Sequence, residues 1–260
     1  MRRLIPVFAI TTAALTTVSA VSSAGAAPMA HTTALRGTIT VDAASSLTTA
    51  FTELGAKFQR LYPHTTVRFN FGSSTTLATQ LLGGAPADVF ASADLTDMDT
   101  VVSAGDVRVA PQIFVRNTLE IGVKPGNPTH ITGLSSLPTA GVVALCAATA
   151  PCGIYAATVV KRAGVTIPSA SITRAPNSTS AIEQVSYGDA TAAIVYVTDV
   201  HAQGVLVSGV KIPAPQNTIA DYPIARLTTS SNSRLAQAFI NYVEGRVGKR
   251  VLEGQGFLAP

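Results

Sequence analysis

Four short turns hold hydroxyls and small residues where helices are about to begin: Ala43-Ala-Ser-Ser-Leu47, Gly72-Ser-Ser-Thr-Thr-Leu77, Ala150-Pro-Cys-Gly-Ile-Tyr155 and Pro176-Asn-Ser-Thr-Ser180. Any one of them is ordinarily an N-cap, its side-chain oxygen accepting from a free backbone N–H. A helix start also leaves unpaired N–H groups and a partial positive charge. Four such starts together suggest an anion site made of donors, although composition alone does not establish one.

Rival chemistries have less support. The chain contains no G-x-S-x-G elbow, Walker A loop, GxGxxG or HExxH motif. His31, His64, His130 and His201 are scattered, without paired metal-ligand spacing. Asp88, Asp94, Asp97 and Asp99 cluster but do not match a calcium loop, and read as solvated or capping acids. A hydrolase using one of the turn serines would need a histidine close by, and none is close in sequence. The only cysteines, Cys146 and Cys152, flank a turn in a chain expected to be exported, which favours a structural disulfide over a redox or metal pair.

The elements that must position these turns follow from periodicity. Strands are predicted over 38–41, 66–71, 87–91, 119–123, 142–146 and 192–197. Helices are predicted over 46–61, 75–82, near 96–104, and over 154–163, 178–187 and 233–244. Gly83-Gly84 and Gly164 end two of them. This alternation implies an α/β fold with largely parallel sheets. Residues 125–160 carry no charge, but Pro128, Gly133, Pro138, Gly141, Pro151 and Gly153 break them into pieces too short to cross a bilayer, read as buried strands and turns.

Composition sets the outer limits. Of 260 residues 47% are hydrophobic and 12% charged, about half the usual charged share, which excludes intrinsic disorder. Aromatics are few (9 Phe, 6 Tyr, no Trp), which weakens any stacking platform for sugars or bases. The net charge is +4, and no Lys/Arg-rich run is present, so nucleic acid is not an expected partner. Arg2 and Arg3, an apolar run from Leu4 to about Val21 and small residues at Ser22 to Ala27 form a secretory signal peptide over residues 1–27. The mature chain is therefore expected outside the cytoplasm, in a periplasm or on the outer side of the cytoplasmic membrane. No cysteine near the cleavage region could carry a lipid.

Taken together, the strings Val41-Asp-Ala-Ala-Ser-Ser-Leu47, Phe71-Gly-Ser-Ser-Thr-Thr-Leu-Ala78 and Gly84-Ala-Pro-Ala-Asp-Val-Phe-Ala-Ser-Ala-Asp94 resemble the molybdate-binding proteins of ABC importers. So do Pro151-Cys-Gly-Ile-Tyr-Ala156, Ala193-Ile-Val-Tyr196 with Asp199, and Asp221-Tyr-Pro-Ile-Ala225. The resemblance runs from about Gly37 to Phe257. It implies a type II periplasmic-binding-protein clamshell: two α/β lobes joined by a two-segment hinge. Lobe 1 would comprise 37–117 plus 222–260, and lobe 2 would comprise 118–221. It implies molybdate, and tungstate, as ligand rather than any cofactor, ABC permease membrane subunits as partners, a monomeric state and no enzymatic activity. Sulfate or another tetrahedral oxyanion is the alternative ligand.

Carried over residue by residue, the ligand set implied by the resemblance is Ser46 and Ser74 from the first lobe. From the second it is the backbone of Cys152 (alanine in the family), Ser178 and the Tyr196 hydroxyl. The 176–180 segment aligns loosely, which leaves Thr179 as the alternative to Ser178. Molybdate at neutral pH is an unprotonated dianion whose oxygens only accept hydrogen bonds, so a pocket of N–H and O–H donors suits it. Monohydrogen phosphate would leave a proton without an acceptor there, a mismatch costing about 1–3 kcal/mol.

Overall fold

Ile39, Val41 and Ala43 alternate along one strand and are all buried, because that strand lies between two neighbours in the middle of a sheet. The computed structural model describes residues 34–260, with Met1 and Leu4; the expected signal segment otherwise lies outside the described residues.

In chain order the first part is β1 (Gly37–Ala44), α1 (Thr48–Leu61), β2 (Thr65–Gly72), α2 (Ser74–Leu82), β3 (Val89–Ala91), α3 (Leu95–Ser103) and β4 (Gln112–Val123). Next come β5 (Val143–Cys146), α4 (Pro151–Arg162), β6 (Ile172–Ala175), α5 (Ser178–Ser186), β7 (Ala192–Tyr196) and α6 (Val197–Gln203). The chain then continues through β8 (Ser208–Lys211), β9 (Ile219–Arg226), α7 (Ser233–Glu244) and α8 (Arg246–Gly254).

Hydrogen bonding orders the strands β2-β1-β3-β9-β4-β7-β5-β6, with β8 also on β4. Parallel pairs join β1 to β2 and β3, and β5 to β6 and β7. The pairs β3–β9, β4–β9, β4–β7 and β4–β8 are antiparallel, so the expectation of largely parallel sheets holds only within each half. The reason is β4. Its residues Gln112 to Thr118 pair with β9, and Leu119 to Val123 pair with β7 and β8, so one strand leaves the first half and enters the second. With β9 it forms the two-segment connection of a two-lobed α/β fold.

Two differences from periodicity have clear causes. The helix expected over 46–61 begins instead as a tight 3₁₀ turn at Ser45–Leu47, where Thr48 Oγ1 donates to the Ser45 carbonyl at 2.6 Å. The helix expected over 154–163 begins three residues earlier, at Pro151, since proline at a first helical position needs no N–H partner. The aromatic core of the first half is built where α1 meets α7: Phe51 and Phe58 both pack edge-on to Phe239, at 6.1 and 5.4 Å between ring centres.

Candidate ligand-binding site

Each hydroxyl turn stands at the end of a strand just before a helix. The Ser45–Leu47 turn follows β1, Ser73 and Ser74 lie between β2 and α2, Ala150 to Cys152 open α4, and Asn177 and Ser178 open α5. These ends converge on one cavity, lined by Ala44, Ser45, Ser46, Gly72, Ser73, Ser74, Ala93, Pro151, Cys152, Asn177, Ser178 and Tyr196. All five residues expected as ligands are on its wall. No lysine, arginine, histidine or carboxylate is among the lining residues.

The local chemistry leaves donors facing this space. Pro151 has no N–H, so Cys152 carries the first backbone donor of α4. In α5 the Asn177 side chain accepts from Ser180 N–H at 2.9 Å, which leaves the N–H groups of Ser178 and Thr179 without helical partners. Ser74 Oγ accepts from Ala93 N–H at 2.9 Å, so its own proton is free for another acceptor. Ser178, not Thr179, is on the wall; Thr179 Oγ1 instead donates to the Ser45 carbonyl at 3.2 Å.

Among the described residues, two buried side-chain oxygens lack any hydrogen-bond partner: Ser73 Oγ and Tyr196 Oη. Both line the cavity. Burial pushes the Tyr196 phenol well above its ordinary range, with the neighbouring Tyr222 acting in the same direction, so it remains a protonated donor. An unpaired buried polar group costs about 1–3 kcal/mol, which a ligand oxygen placed there would offset.

The two halves touch around this space. Ser45 Oγ is 3.2 Å from Ser178 Oγ, and Thr75 Oγ1 donates to the Thr149 carbonyl at 3.0 Å. Thr75 Oγ1 also lies 2.9 Å from Asp97 Oδ2. Burial, and then the adjacent Asp94, push the Asp97 carboxyl up to about 6. Asp94 caps α3 by accepting from Asp97 N–H at 3.0 Å, while Asp88 accepts from Thr40 N–H at 2.8 Å. These acids were expected to be solvated or capping: Asp94 does cap and Asp99 is exposed, whereas Asp88 and Asp97 are buried without capping a helix.

Asp199 stands directly behind the wall. It accepts from Ser178 Oγ at 3.1 Å and from Tyr196 N–H at 3.1 Å. Burial pushes its carboxyl up to about 7 against the pull of those two hydrogen bonds. Sequence reasoning missed Ser45 and Ser73, each one residue before a serine it selected, and Asn177, which the N-cap pattern could have flagged. Tyr222, which bonds Ser46, arrives from β9 with no local signal.

Cys146 and Cys152 form the expected disulfide, tying the end of β5 to the first turn of α4. Closing so short a loop constrains the unfolded chain by about 2 kcal/mol. Reduction should therefore lower the unfolding free energy obtained from denaturant titration by that amount without changing the secondary structure, as read by circular dichroism with and without reductant.

Two α/β halves, joined by paired crossover strands and closing on a donor-lined cavity, define a solute-binding protein of the two-lobed type. The chain belongs to the bacterial extracellular solute-binding protein family, whose sequence profile matches residues 39–258. It is 36% identical over 223 residues to the molybdate-binding protein ModA of Mycobacterium tuberculosis, covering 85% of each chain. Its fold matches the periplasmic molybdate-binding protein of Azotobacter vinelandii with a TM-score of 0.78 at 19% identity, over 85% of this chain and 99% of that one. It matches the sulfate-binding protein SubI of Mycobacterium tuberculosis nearly as well, with a TM-score of 0.77 at 19% identity, over 85% and 86%. Architecture alone therefore leaves the choice of oxyanion to the cavity.

Proposed function

We propose that this chain captures molybdate outside the cytoplasm and delivers it to an ABC import permease. The observation that carries this reading is the cavity itself, in which backbone and hydroxyl donors from both halves meet with no cation and no carboxylate on the wall. Such a lining suits a fully deprotonated dianion. Neutral dipoles supply the charge stabilisation, each helix start contributing about 0.3–1 kcal/mol, and more where desolvated. The ligands would be the hydroxyls and backbone N–H groups of Ser46 and Ser74, the backbone N–H groups of Cys152 and Ser178, and the Tyr196 hydroxyl. The 36% identity to a molybdate-binding protein supports molybdate over sulfate. Tungstate, of the same shape and charge, would bind too.

In this reading residues 37–117 and 222–260 form one lobe and 118–221 the other, hinged through β4 and β9. The ligand selects the shut state because only there do donors from both lobes reach it. The protein works as an exported monomer, binding its ligand without transforming it. Ser46 and Ser74 bond Tyr222 and Ala93, so neither is paired with a histidine that could make it a nucleophile.

Titration calorimetry with molybdate, tungstate, sulfate and phosphate tests the proposal. Molybdate and tungstate should bind far more tightly than the other two; sulfate binding as tightly as molybdate would transfer the function to sulfate. Ser46→Ala and Ser74→Ala should each weaken molybdate by about ten- to a hundredfold, the worth of a hydrogen bond to a charged group, while the protein stays folded with a melting temperature lowered by a few degrees, because Tyr222 Oη or Ala93 N–H loses its partner. Unchanged affinity in both would remove these serines from the site.

A further inference from the structure

The cavity wall has a second layer that fixes the direction of its hydrogen bonds. Ser46 Oγ lies 2.8 Å from Tyr222 Oη. Asn117 Nδ2 donates to Thr198 Oγ1 at 2.9 Å and approaches Tyr222 Oη at 3.4 Å. Asn117 and Tyr222 belong to β4 and β9, the two crossover strands, and both are 0% exposed.

Counting protons along this chain leaves one arrangement. Asn117 Oδ1 accepts from Thr118 N–H at 3.0 Å, which turns the amide so that its NH₂ faces Thr198 and Tyr222. An NH₂ group only donates, so nothing on the Asn117 side can take the phenol proton. Burial holds that phenol far above its ordinary range, with Ser46, Asn117 and Tyr196 pulling the other way, so the proton stays on. The acceptor within hydrogen-bond distance is Ser46 Oγ at 2.8 Å, since the Tyr196 hydroxyl has no hydrogen-bond partner. A serine oxygen that accepts there still carries its own hydrogen, and the cavity is the open side on which to donate it.

We propose that Tyr222 and Asn117 are positioning residues: the ordered chain Asn117→Tyr222→Ser46 fixes the Ser46 hydroxyl as a donor toward the bound oxyanion. This rests on the reading of the cavity as an oxyanion site and adds to it two residues that do not touch the ligand. Because hydrogen bonds in a buried chain polarise one another, the donor at its end is stronger than an isolated hydroxyl. A purely structural role is the alternative, since the Tyr222 ring packs on Tyr196 at 5.8 Å and on Phe257 at 5.5 Å.

Tyr222→Phe keeps that packing and removes only the hydroxyl. Molybdate affinity is measured by calorimetry in the wild type, Tyr222→Phe, Ser46→Ala and the double variant, with melting temperatures alongside. Tyr222→Phe is expected to lose about tenfold in affinity, and the double variant to bind within about twofold of Ser46→Ala, because Tyr222 acts through Ser46. A second cycle with Asn117→Leu in place of Tyr222→Phe should show the same loss of additivity and covers the case in which one variant folds poorly. Wild-type affinity in Tyr222→Phe, or losses that simply add in both cycles, overturns the inference while leaving the function intact. A wild-type chain that binds no oxyanion overturns the function reading and this inference with it.

Discussion

Gly153→Ala is expected to destabilise the protein by about 3 kcal/mol and to remove most of its oxyanion affinity. A Cβ at this position would sit 2.0 Å from the Ala147 carbonyl oxygen and 2.9 Å from its carbon, a collision with backbone that no rotamer relieves. The turn is held on every side: Ala147 N–H bonds the Ala175 carbonyl at 2.7 Å, Ala150 N–H bonds the Ala147 carbonyl at 3.0 Å, and the disulfide closes the loop. The first turn of α4 must therefore move, and the Cys152 N–H moves with it. Urea denaturation and molybdate calorimetry on the same variant measure both effects. A variant with wild-type stability would show that the turn can shift at little cost, and retained affinity would place the Cys152 N–H outside the site.

The second large effect is on pH. Burial pushes the Asp199 carboxyl up to about 7 in the native chain, whereas the unfolded chain releases the proton near the ordinary 3.8. Between those values the native state binds more protons, so stability falls as pH rises through that window. Asp97, pushed to about 6, contributes in the same direction, and Asp42, Asp94, Glu120 and Glu244 are also raised by burial. At about 1.4 kcal/mol per unit, Asp199 accounts for up to about 4 kcal/mol between pH 4 and pH 8. The ligand-free protein should therefore melt at a higher temperature at pH 5 than at pH 8. Asp199→Asn should make that slope shallower, because an amide carries no proton to lose, with Asp97 and the other buried carboxyls supplying the rest. An equal slope in Asp199→Asn would move the linkage to another group.

The same carboxyl shows why some of the site was legible in the sequence and some was not. The serine turns could be found because a helix start is a local event: a hydroxyl before an apolar periodic run states where the free N–H groups will be. Ser46, Ser74 and Ser178 needed no knowledge of the rest of the chain beyond the family resemblance that selected them from their neighbours. The disulfide was equally local, since a six-residue separation around a proline turn leaves few geometries. By contrast, Asp199 gives no sign in sequence of total burial, because the surroundings that desolvate it come from other elements.

The strands show the same division. β7, an apolar run flanked by strands on both sides, was read in position; β1 was seen only over Thr38 to Val41, and β4 only from Leu119 onward. Its first half contains Gln112, Arg116, Asn117 and Thr118, whose polarity suits a crossover that bonds Asp221, Tyr222 and Thr198 rather than an ordinary core. β9 was missed for a related reason: Pro223 reads as a breaker, yet it sits where the β4–β9 register shifts and its carbonyl still accepts from Ser92 N–H at 3.0 Å. Helix α8 sets Gly248, Val251 and Leu252 against Arg246, Lys249, Arg250 and Glu253, a two-faced helical pattern that the sequence reading passed over.

What the amino-acid order determined by itself was therefore everything set within a few residues: strand and helix starts, the cysteine pair and the hydroxyl turns. Only the folded chain decided that four turns spread over more than 130 residues line one cavity. It also decided which acids lose their water and which way the Ser46 proton points. The physical reason is range. N-caps and periodicity act over one or two turns of chain, whereas desolvation and the direction of a buried hydrogen-bond chain depend on groups that meet only when both crossover strands are in place.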